Sequence, residues 1–298
     1  MPSNARSNRN PLTSKLTTVQ RFAYLLPLFA WASFACGQPP GEYAAGQAPD
    51  ESQALVDRAL ANELKAAKET SHPMRYQLRK TSPRLTTTKE IYETKDGEVA
   101  RLLEVNDQPL SAEDEEKEQT RLNDLLADPG KQRHRKQAED TDAGRALMIL
   151  RELPNAFLYQ FAGSTDGPQG KLEKFTFRPN PNFSPPNLET EVLTQMTGEI
   201  SIDPTRGRVT HLEGHLQQDV DVLWGVVGRL SKGGWIAIDQ ADIGDGQWHL
   251  VRFQMQMSGR VFWKTRIYDT TEVESKFVPL PAGTSYQKAI EMTREDPK

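Results

Sequence analysis

The feature that most constrains the fold is an alternation of apolar and polar residues in the second half of the chain. It runs from Ala156 to Thr270 in short segments such as "KLEKFTFRP", "GEISIDP" and "WIAIDQADI". A period of two is typical of β-strands that bury one face. Turn sequences such as Asp203-Pro204 and Ser258-Gly259 separate the segments, so we expect consecutive strands to pair as an antiparallel meander.

Earlier in the chain the sequence predicts further strands. Met74, Tyr76 and Leu78 alternate with polar residues, and Asp96-Gly97 marks a hairpin turn between two later segments. One face of every predicted strand is apolar, in rows such as Phe157, Tyr159 and Phe161, Phe175 and Phe177, Ile200 and Ile202, Leu212 and Leu216, Ile236 and Ile238, and Val251, Phe253, Met255 and Met257. A sheet with one apolar face needs a cover on that face.

Helices are the available cover. Residues 51–69 carry an apolar stripe at helical spacing, and Ser111 with Asp114 forms a capping box before a second helix that stops at Pro129-Gly130. A third helix is predicted over 140–153, and the basic "KQRHRK" before it is interpreted as a solvated loop. These patterns predict an α+β fold in which the N-terminal helix and two inserted helices cover a strongly curved antiparallel sheet of about 8–11 strands.

The N-terminal region has the composition of a secretory signal. Basic residues precede an apolar run from Phe22 to Ala35, and the first acidic residue is Glu42. This run is shorter than the ~20 apolar residues that span a bilayer, which favours a cleaved leader. We therefore expect a signal peptide at 1–35, a flexible linker at 36–50, and a single domain at 51–298 with a helical insertion at about 111–153.

Cys36 is the only cysteine and directly follows Ala35. Its position resembles the lipidated cysteine of bacterial lipoproteins, although Ser33 and Phe34 fit that pattern loosely. The alternatives are cleavage after Ala35 without lipidation, or cleavage after Gly37, which would remove the cysteine. We predict lipid attachment at Cys36 and a location on the periplasmic face of a bacterial membrane, the outer membrane being favoured. A soluble periplasmic protein is the alternative.

Charge argues against a nucleic-acid partner. The whole chain has a formal net charge of −4, and loss of the leader with Arg6, Arg9, Lys15 and Arg21 lowers it to −8. Nucleic-acid binding depends on Lys and Arg side chains that neutralise phosphates.

The motif "HLEGH" at 211–215 is the strongest candidate for metal chemistry. It lacks the glutamate of the zinc-protease motif, because Leu212 occupies that position. The alternation predicts a strand, in which His211 and His215 lie ~13 Å apart and cannot share one zinc ion. His211, Glu213 and His215 are therefore interpreted as a solvated face. With no nucleophile motif, phosphate loop or dinucleotide fingerprint, we predict neither an enzyme nor a cofactor.

The order of elements resembles the LolA/LolB-like superfamily of periplasmic lipoprotein carriers, outer-membrane receptors and RseB-like sensors. The resemblance covers roughly residues 51–276 and rests on element order, "GEISIDPTRGRV" and the "DVLWGVVGRLSKGG" connector. It implies a half-open β-barrel whose concave face is covered by helices and takes up acyl chains. No binding residue of that family has a counterpart here.

Two functions remain open. The first is an exported, membrane-anchored, non-enzymatic binding protein for lipids or lipoprotein acyl chains. Its predicted apolar groove contains Tyr159, Phe177, Ile238, Phe253, Met255 and Met257. The second is a structural or sensory envelope module that binds a protein partner through its polar sheet face or acidic helix and carries no lipid.

Overall fold

The computed structural model describes residues 51–222, 228–244, 246–261 and 264–295. The predicted signal peptide (1–35), Cys36 and the linker (36–50) lie outside them. The described part is an α+β fold with one large antiparallel sheet. Within it, no helix combines the length and the apolar character needed to cross a membrane.

The described residues form five α-helices, which are α1 (Glu51–Ala66), α2 (Ala112–Ala127), α3 (Pro129–Ala156), α4 (Leu188–Glu191) and α5 (Tyr286–Glu295). The predicted cap of α2 is confirmed, because Ser111 Oγ accepts a hydrogen bond from Asp114 N–H at 3.1 Å. Helix α5 is not predicted by the sequence pattern.

The strands are β1 (Met74–Ser82), β2 (Leu85–Tyr92), β3 (Val99–Val105), β4 (Gln108–Pro109), β5 (Phe157–Gly167), β6 (Gly170–Pro179), β7 (Met196–Asp203), β8 (Arg208–Leu216), β9 (Val220–Val222), β10 (Gly228–Leu230), β11 (Trp235–Asp242), β12 (Trp248–Val261) and β13 (Lys264–Pro279). The described residues thus form 13 strands, more than the expected 8–11. The excess comes from β4, β9 and β10, which have only two or three residues each.

The predicted meander is confirmed. The sheet order is β4-β3-β2-β1-β13-β12-β11-β8-β7-β6-β5, and neighbouring strands in this order are antiparallel. The β9–β10 hairpin pairs with the far half of β12. Because β4 and β5 end the order and do not pair with each other, the sheet is open.

The turns explain how the early strands pair. Asp96-Gly97 lies in the connection between β2 and β3 as predicted, and Tyr92 pairs with Val99 across it. The next hairpin turns at Asn106-Asp107, whose φ angles of 52° and 59° fit a two-residue type I′ turn. The pairing of β1 with β13 joins this N-terminal group to the C-terminal strand.

The main core lies between one face of the sheet and helices α1 and α3, which contact each other. Its fully buried members include Val56 and Leu60 of α1, Ile149 of α3, and Phe175, Ile200 and Phe253 of the sheet. A second cluster lies where α2 and α5 meet β2 and β3, around Tyr92, Leu122 and Ile290.

Gly198 is required by a close approach inside this core. A Cβ atom there would lie 1.9 Å from the carbonyl oxygen of Glu213 and 2.6 Å from Cζ of Phe177. Gly198 pairs with Phe177 on one side and with Gly214 on the other. Gly198 therefore leaves the space that the Phe177 ring occupies, and Gly214 leaves space for the Met196 side chain, whose Cε would lie 2.5 Å from a Cβ at that position.

The interpretation of "KQRHRK" as a loop is wrong, because α3 begins at Pro129 and contains it. Asp128 caps this helix by accepting from Gly130 N–H at 2.9 Å, and Pro129 takes the first turn, where its missing N–H is not needed. Pro129-Gly130 thus both ends α2 and starts α3. Pro154 lies inside the last turn, and the helix continues to Ala156.

One assignment of side-chain direction is also wrong. A β-bulge shifts the register of β11 and β12, so that Gln240 pairs with Leu250 after Asp239 pairs with Arg252. Leu250 is therefore buried, and Val251 is not part of the buried row. Phe161 faces the same side as Phe175, with which it pairs and whose ring centroid lies 5.6 Å from its own, as predicted. It is nevertheless 48 % exposed, because β5 is the last strand of the sheet order.

Candidate ligand-binding cavity

A cavity of about 760 Å³ lies between α1, α3 and the buried face of the sheet. Its walls also include the connection between β2 and β3, so segments distant in the chain meet there. The volume falls within the roughly 300–1,000 Å³ that small-molecule sites occupy.

One part of the lining is apolar and continuous with the main core. Leu150 and Leu153 are three residues apart and therefore share one face of α3. Ile200 and Ile238 reach the cavity from β7 and β11, which β8 separates in the sheet. The other apolar side chains of the described lining are Leu60, Ala66, Ala67, Pro73, Tyr76, Ala143, Val209, Leu212 and Trp248.

An ion pair fixes α1 to the sheet at the cavity wall. Glu63 accepts from Arg208 Nε at 2.8 Å and from Arg208 Nη2 at 2.9 Å. The same carboxylate accepts from Val209 N–H at 2.9 Å, and the Arg208 guanidinium lies 5.1 Å from the ring centroid of Trp248. Because both charged side chains are largely buried, this bidentate pair sets the position of α1 over β8.

Carboxylates dominate the charged part of the lining. The described lining contains seven, against three Lys or Arg residues and two histidines; the carboxylates belong to Glu63, Glu69, Glu93, Glu98, Glu139, Asp140 and Glu274. Glu98, Glu139 and Glu274 are each at most 7 % exposed. Buried carboxylates at this density disfavour additional negative charge in the cavity.

Glu139 of α3 meets the turn between β2 and β3. Its Oε2 accepts from Glu98 N–H at 3.1 Å. Gly97, at φ +93°, has no Cβ to clash with this oxygen, which a Cβ would approach to 2.8 Å. Burial, and next the neighbouring carboxylate of Glu98, raise the pKa of Glu139 to about 8.

Aromatic rings form a further part of the wall. Tyr76 of β1 and His249 of β12 line the cavity, with ring centroids 6.1 Å apart. Phe277 of β13 packs against both, at 5.3 Å from Tyr76 and 5.1 Å from His249. Tyr76 and His249 therefore form an aromatic part of the cavity wall, and Phe277 packs behind them.

The six residues of the predicted groove are not brought together around this cavity. Ile238 lines it, whereas Phe177, Phe253, Met255 and Met257 are buried members of the main core. Tyr159 packs against that core, and its hydroxyl donates to the carbonyl of Leu153 at 3.1 Å. The carboxylates that form the polar part of the lining are not among the predicted site residues.

The "HLEGH" motif lies on β8, as the alternation predicts, and forms a hydrogen-bonded row. His211 Nδ1 lies 2.7 Å from Asp239 Oδ1, and His215 Nε2 lies 2.6 Å from Glu213 Oε1. The hydrogen bond with Asp239 raises the pKa of His211, and burial opposes this shift. Across the described ranges, no group of three or more His, Cys, Asp or Glu side chains is arranged to hold a metal ion.

The chain is an α+β protein with an open antiparallel sheet and a cavity whose lining is partly apolar and partly acidic. Comparison of the chain with family models, curated proteins and solved structures gives no match.

Proposed function

We propose that this chain is an exported, membrane-anchored binding protein of the bacterial envelope that holds an acyl chain or a similar apolar group without covalent chemistry. The observation that carries the proposal is the cavity of about 760 Å³ whose floor includes Leu150, Leu153, Ile200 and Ile238. Apolar floors with a few polar groups are typical of small-molecule sites.

The binding affinity of an acyl chain can be related to the number of methylene groups that it buries. Burial of one methylene group contributes about 0.8 kcal/mol, so ten of them contribute about 8 kcal/mol before the cost of ordering is subtracted. A dissociation constant of about 1 μM corresponds to the same free energy. Because the cost of ordering must also be offset, micromolar binding requires burial of more than about ten methylene groups.

We propose a LolA/LolB-like arrangement from two features of the fold. The sheet is open, and α1 contacts both β5 and β8 on its apolar side. A half-open barrel covered by α1 and the two inserted helices is the arrangement that we propose from these contacts. Carriage of lipoprotein acyl chains is part of the same proposal.

The cellular location is proposed from the N-terminal sequence. An apolar run that ends in Ala35-Cys36, followed by a Pro- and Gly-containing linker, supports export and lipid attachment at Cys36. A single acyl chain gives only marginal membrane binding, so the anchor we propose carries more than one.

Uptake of a neutral apolar dye tests the binding function. The purified protein should bind N-phenyl-1-naphthylamine with increased fluorescence and micromolar affinity. Ala143→Trp in the cavity wall should weaken binding at least tenfold, whereas Ala138→Trp on the exposed side of α3 should leave it unchanged. Absence of uptake, or uptake that both variants preserve, would overturn the proposal.

The alternative, a protein-binding envelope module, is favoured by Ile267 on β13, which is 73 % exposed. Under this alternative Ile267→Ser should abolish crosslinking of the protein to a partner in intact cells. The Ala143→Trp variant should crosslink as the original chain does. The opposite pattern would exclude this surface.

A further inference from the structure

The β12–β13 hairpin extends past the strands on either side of it. β1 pairs with β13 only from Thr271 onward, and β11 pairs with β12 only as far as Gln256. Beyond these points the short strand β10 borders β12, and no strand of the described residues borders β13. Residues 258–261 and 264–267, which we call the hairpin end, therefore project from the main sheet. None of them lines the cavity.

The hairpin end is basic although the chain as a whole is acidic. Arg260, Lys264 and Arg266 are exposed, and none of the three side chains forms an ion pair within the part of the chain that the structure describes. The sequence from 246 to 268 contains no Asp or Glu, whereas the whole chain has a formal net charge of −4. Positive charge is thus concentrated on this projection.

The carboxylates next to the hairpin end are already engaged by another cation. Arg229 of β10 lies 2.5 Å from Asp221 of β9 and 3.5 Å from Asp219. Arg229 also pairs with Arg260 across the two strands. The neighbour of Arg260 on this side is therefore an arginine, and the two aspartates are held by that arginine.

An apolar side chain lies in solvent among these cations. Ile267 is 73 % exposed, more than any other large apolar side chain of the described residues, and it pairs with the small Ser258. Charged residues on a bare strand would by themselves serve to block edge-to-edge pairing. That role does not require an exposed isoleucine. Cations around an exposed apolar group match a surface that has anionic groups above an apolar interior.

We propose that the hairpin end contacts an anionic lipid bilayer, with Arg260, Lys264 and Arg266 beside the lipid phosphates and Ile267 at the boundary of the acyl chains. This inference goes beyond the proposed function, because the surface lies outside the cavity and needs no ligand in it. Asp269 is the first acidic residue past Ile267 and shares its side of β13, so it limits how deeply the hairpin enters.

The contact orients a tethered domain and does not replace the anchor. Three cations and one apolar side chain give weak binding that salt reduces. A lipid anchor at Cys36 would hold the domain near the bilayer and so raise the effective concentration of the hairpin end at the surface. A weak contact is then sufficient to set the orientation.

Vesicle binding by a chain without the anchor tests the proposal. The Cys36→Ser protein is mixed at low salt with vesicles of phosphatidylcholine alone, or of equal parts phosphatidylcholine and phosphatidylglycerol, and sedimentation measures the bound fraction. We expect binding to the anionic vesicles to be tighter by about tenfold or more. High salt should abolish the difference.

Two double variants with the same change in charge assign the binding to the hairpin end. Arg260→Gln with Arg266→Gln should weaken binding to the anionic vesicles by about tenfold or more. Lys171→Gln with Arg178→Gln removes two exposed cations from β6, near the other end of the sheet order, and should bind as the parent does.

A tryptophan at the apolar position reports the contact directly. The fluorescence of Ile267→Trp should shift to shorter wavelength when anionic vesicles are added, because the indole leaves water. Leu158→Trp, at a 37 % exposed position on β5, should show no shift. Each protein is compared with itself in the presence and absence of vesicles, so a folding defect in the glutamine variants does not affect this measurement.

The contrary outcomes are distinct from failure of the proposed function, which dye uptake measures. Absence of binding at low salt, equal binding to both kinds of vesicle, or an equal loss in the two double variants would overturn the membrane contact. Vesicle binding without a shift for Ile267→Trp would also overturn it. Crosslinking to a protein at Ile267 without vesicle binding would assign this surface to the protein-binding alternative.

Discussion

Glu63 and Arg208, 145 residues apart in the chain, join the first helix to the centre of the sheet through two parallel hydrogen bonds of 2.8 Å and 2.9 Å. The side chains are only 8 % and 16 % exposed. Glu63 also accepts a hydrogen bond from Val209 N–H, so its carboxylate binds both a backbone N–H group and the Arg208 side chain. This contact positions the helix that forms one wall of the cavity.

Arg208→Met should destabilise the protein by about 3 kcal/mol, because it leaves the buried carboxylate of Glu63 without its cation. Combining it with Glu63→Gln should recover part of the loss, since the amide keeps an acceptor for Val209 N–H and carries no charge. Urea unfolding measures both effects. The exposed pair Arg79–Asp107 has similar bidentate geometry and is the matched control. A loss in Arg79→Met as large as in Arg208→Met would contradict the role of burial.

Glu139→Gln should change how stability depends on pH. The folded-state pKa of about 8 lies above the ordinary value of 4.5, so between these values the folded state binds more protons than the unfolded state. Stability from this group therefore falls as pH rises from about 4.5 to about 8. Between pH 5 and pH 9 the free energy of unfolding of the variant should rise by at least about 1 kcal/mol relative to that of the original chain. This is less than the ~1.4 kcal/mol that corresponds to a shift of one pKa unit.

The control for this measurement is a carboxylate that lies away from the charged neighbours of Glu139. Glu98 faces it from the β2–β3 connection and raises its pKa, whereas Arg135 and Lys136 of α3 lower it. Glu199→Gln, on the polar side of the sheet, should show no comparable gain across the same pH range. A gain that does not vary with pH would show that the carboxylate of Glu139 titrates normally.

Phe253→Ala should cost about 3–5 kcal/mol, because the side chain is fully buried and its removal leaves a cavity in the main core. Phe161→Ala should cost under about 1 kcal/mol, since that ring is 48 % exposed. Thermal and urea unfolding of the two variants provide the comparison. A small loss for Phe253→Ala with loss of dye binding would instead place Phe253 in an open ligand groove, as the sequence alone suggested.

The sequence predicts the strands well and the cavity poorly, for physical reasons. A strand with one buried face must alternate, so the rows containing Phe175, Ile200 and Ile238 can be read directly. The pairing of β1 with β13 has no local signal, because it depends on chain ends that meet only in the folded state. Bulges such as the one that buries Leu250 likewise depend on the neighbouring strand.

The first half of α3 was missed because its inward positions are polar. Gln132 and Glu139 are buried and face the β2–β3 connection, so no apolar stripe marks that part of the helix.

Helix α1 does contain a sequence signal for the cavity. Glu63 lies between Leu60 and Ala67 in the apolar stripe, and a charge in that position indicates a buried partner on the sheet.

Cys36→Ser should release the protein from the membrane fraction into the soluble periplasmic fraction. If lipid is attached at Cys36, the mature chain begins there, is heavier than its sequence mass, and partitions with membranes through more than one acyl chain. Residues 37–50 then form a spacer with a root-mean-square reach of about 20 Å. The substitution should leave the unfolding transition unchanged, because the core of the described part begins at Val56. Intact-mass measurement and cell fractionation provide the test. The contrary outcome is recovery of the original chain as a soluble protein that starts at Gln38 or carries an unmodified Cys36. That result would show that the protein is free in the periplasm.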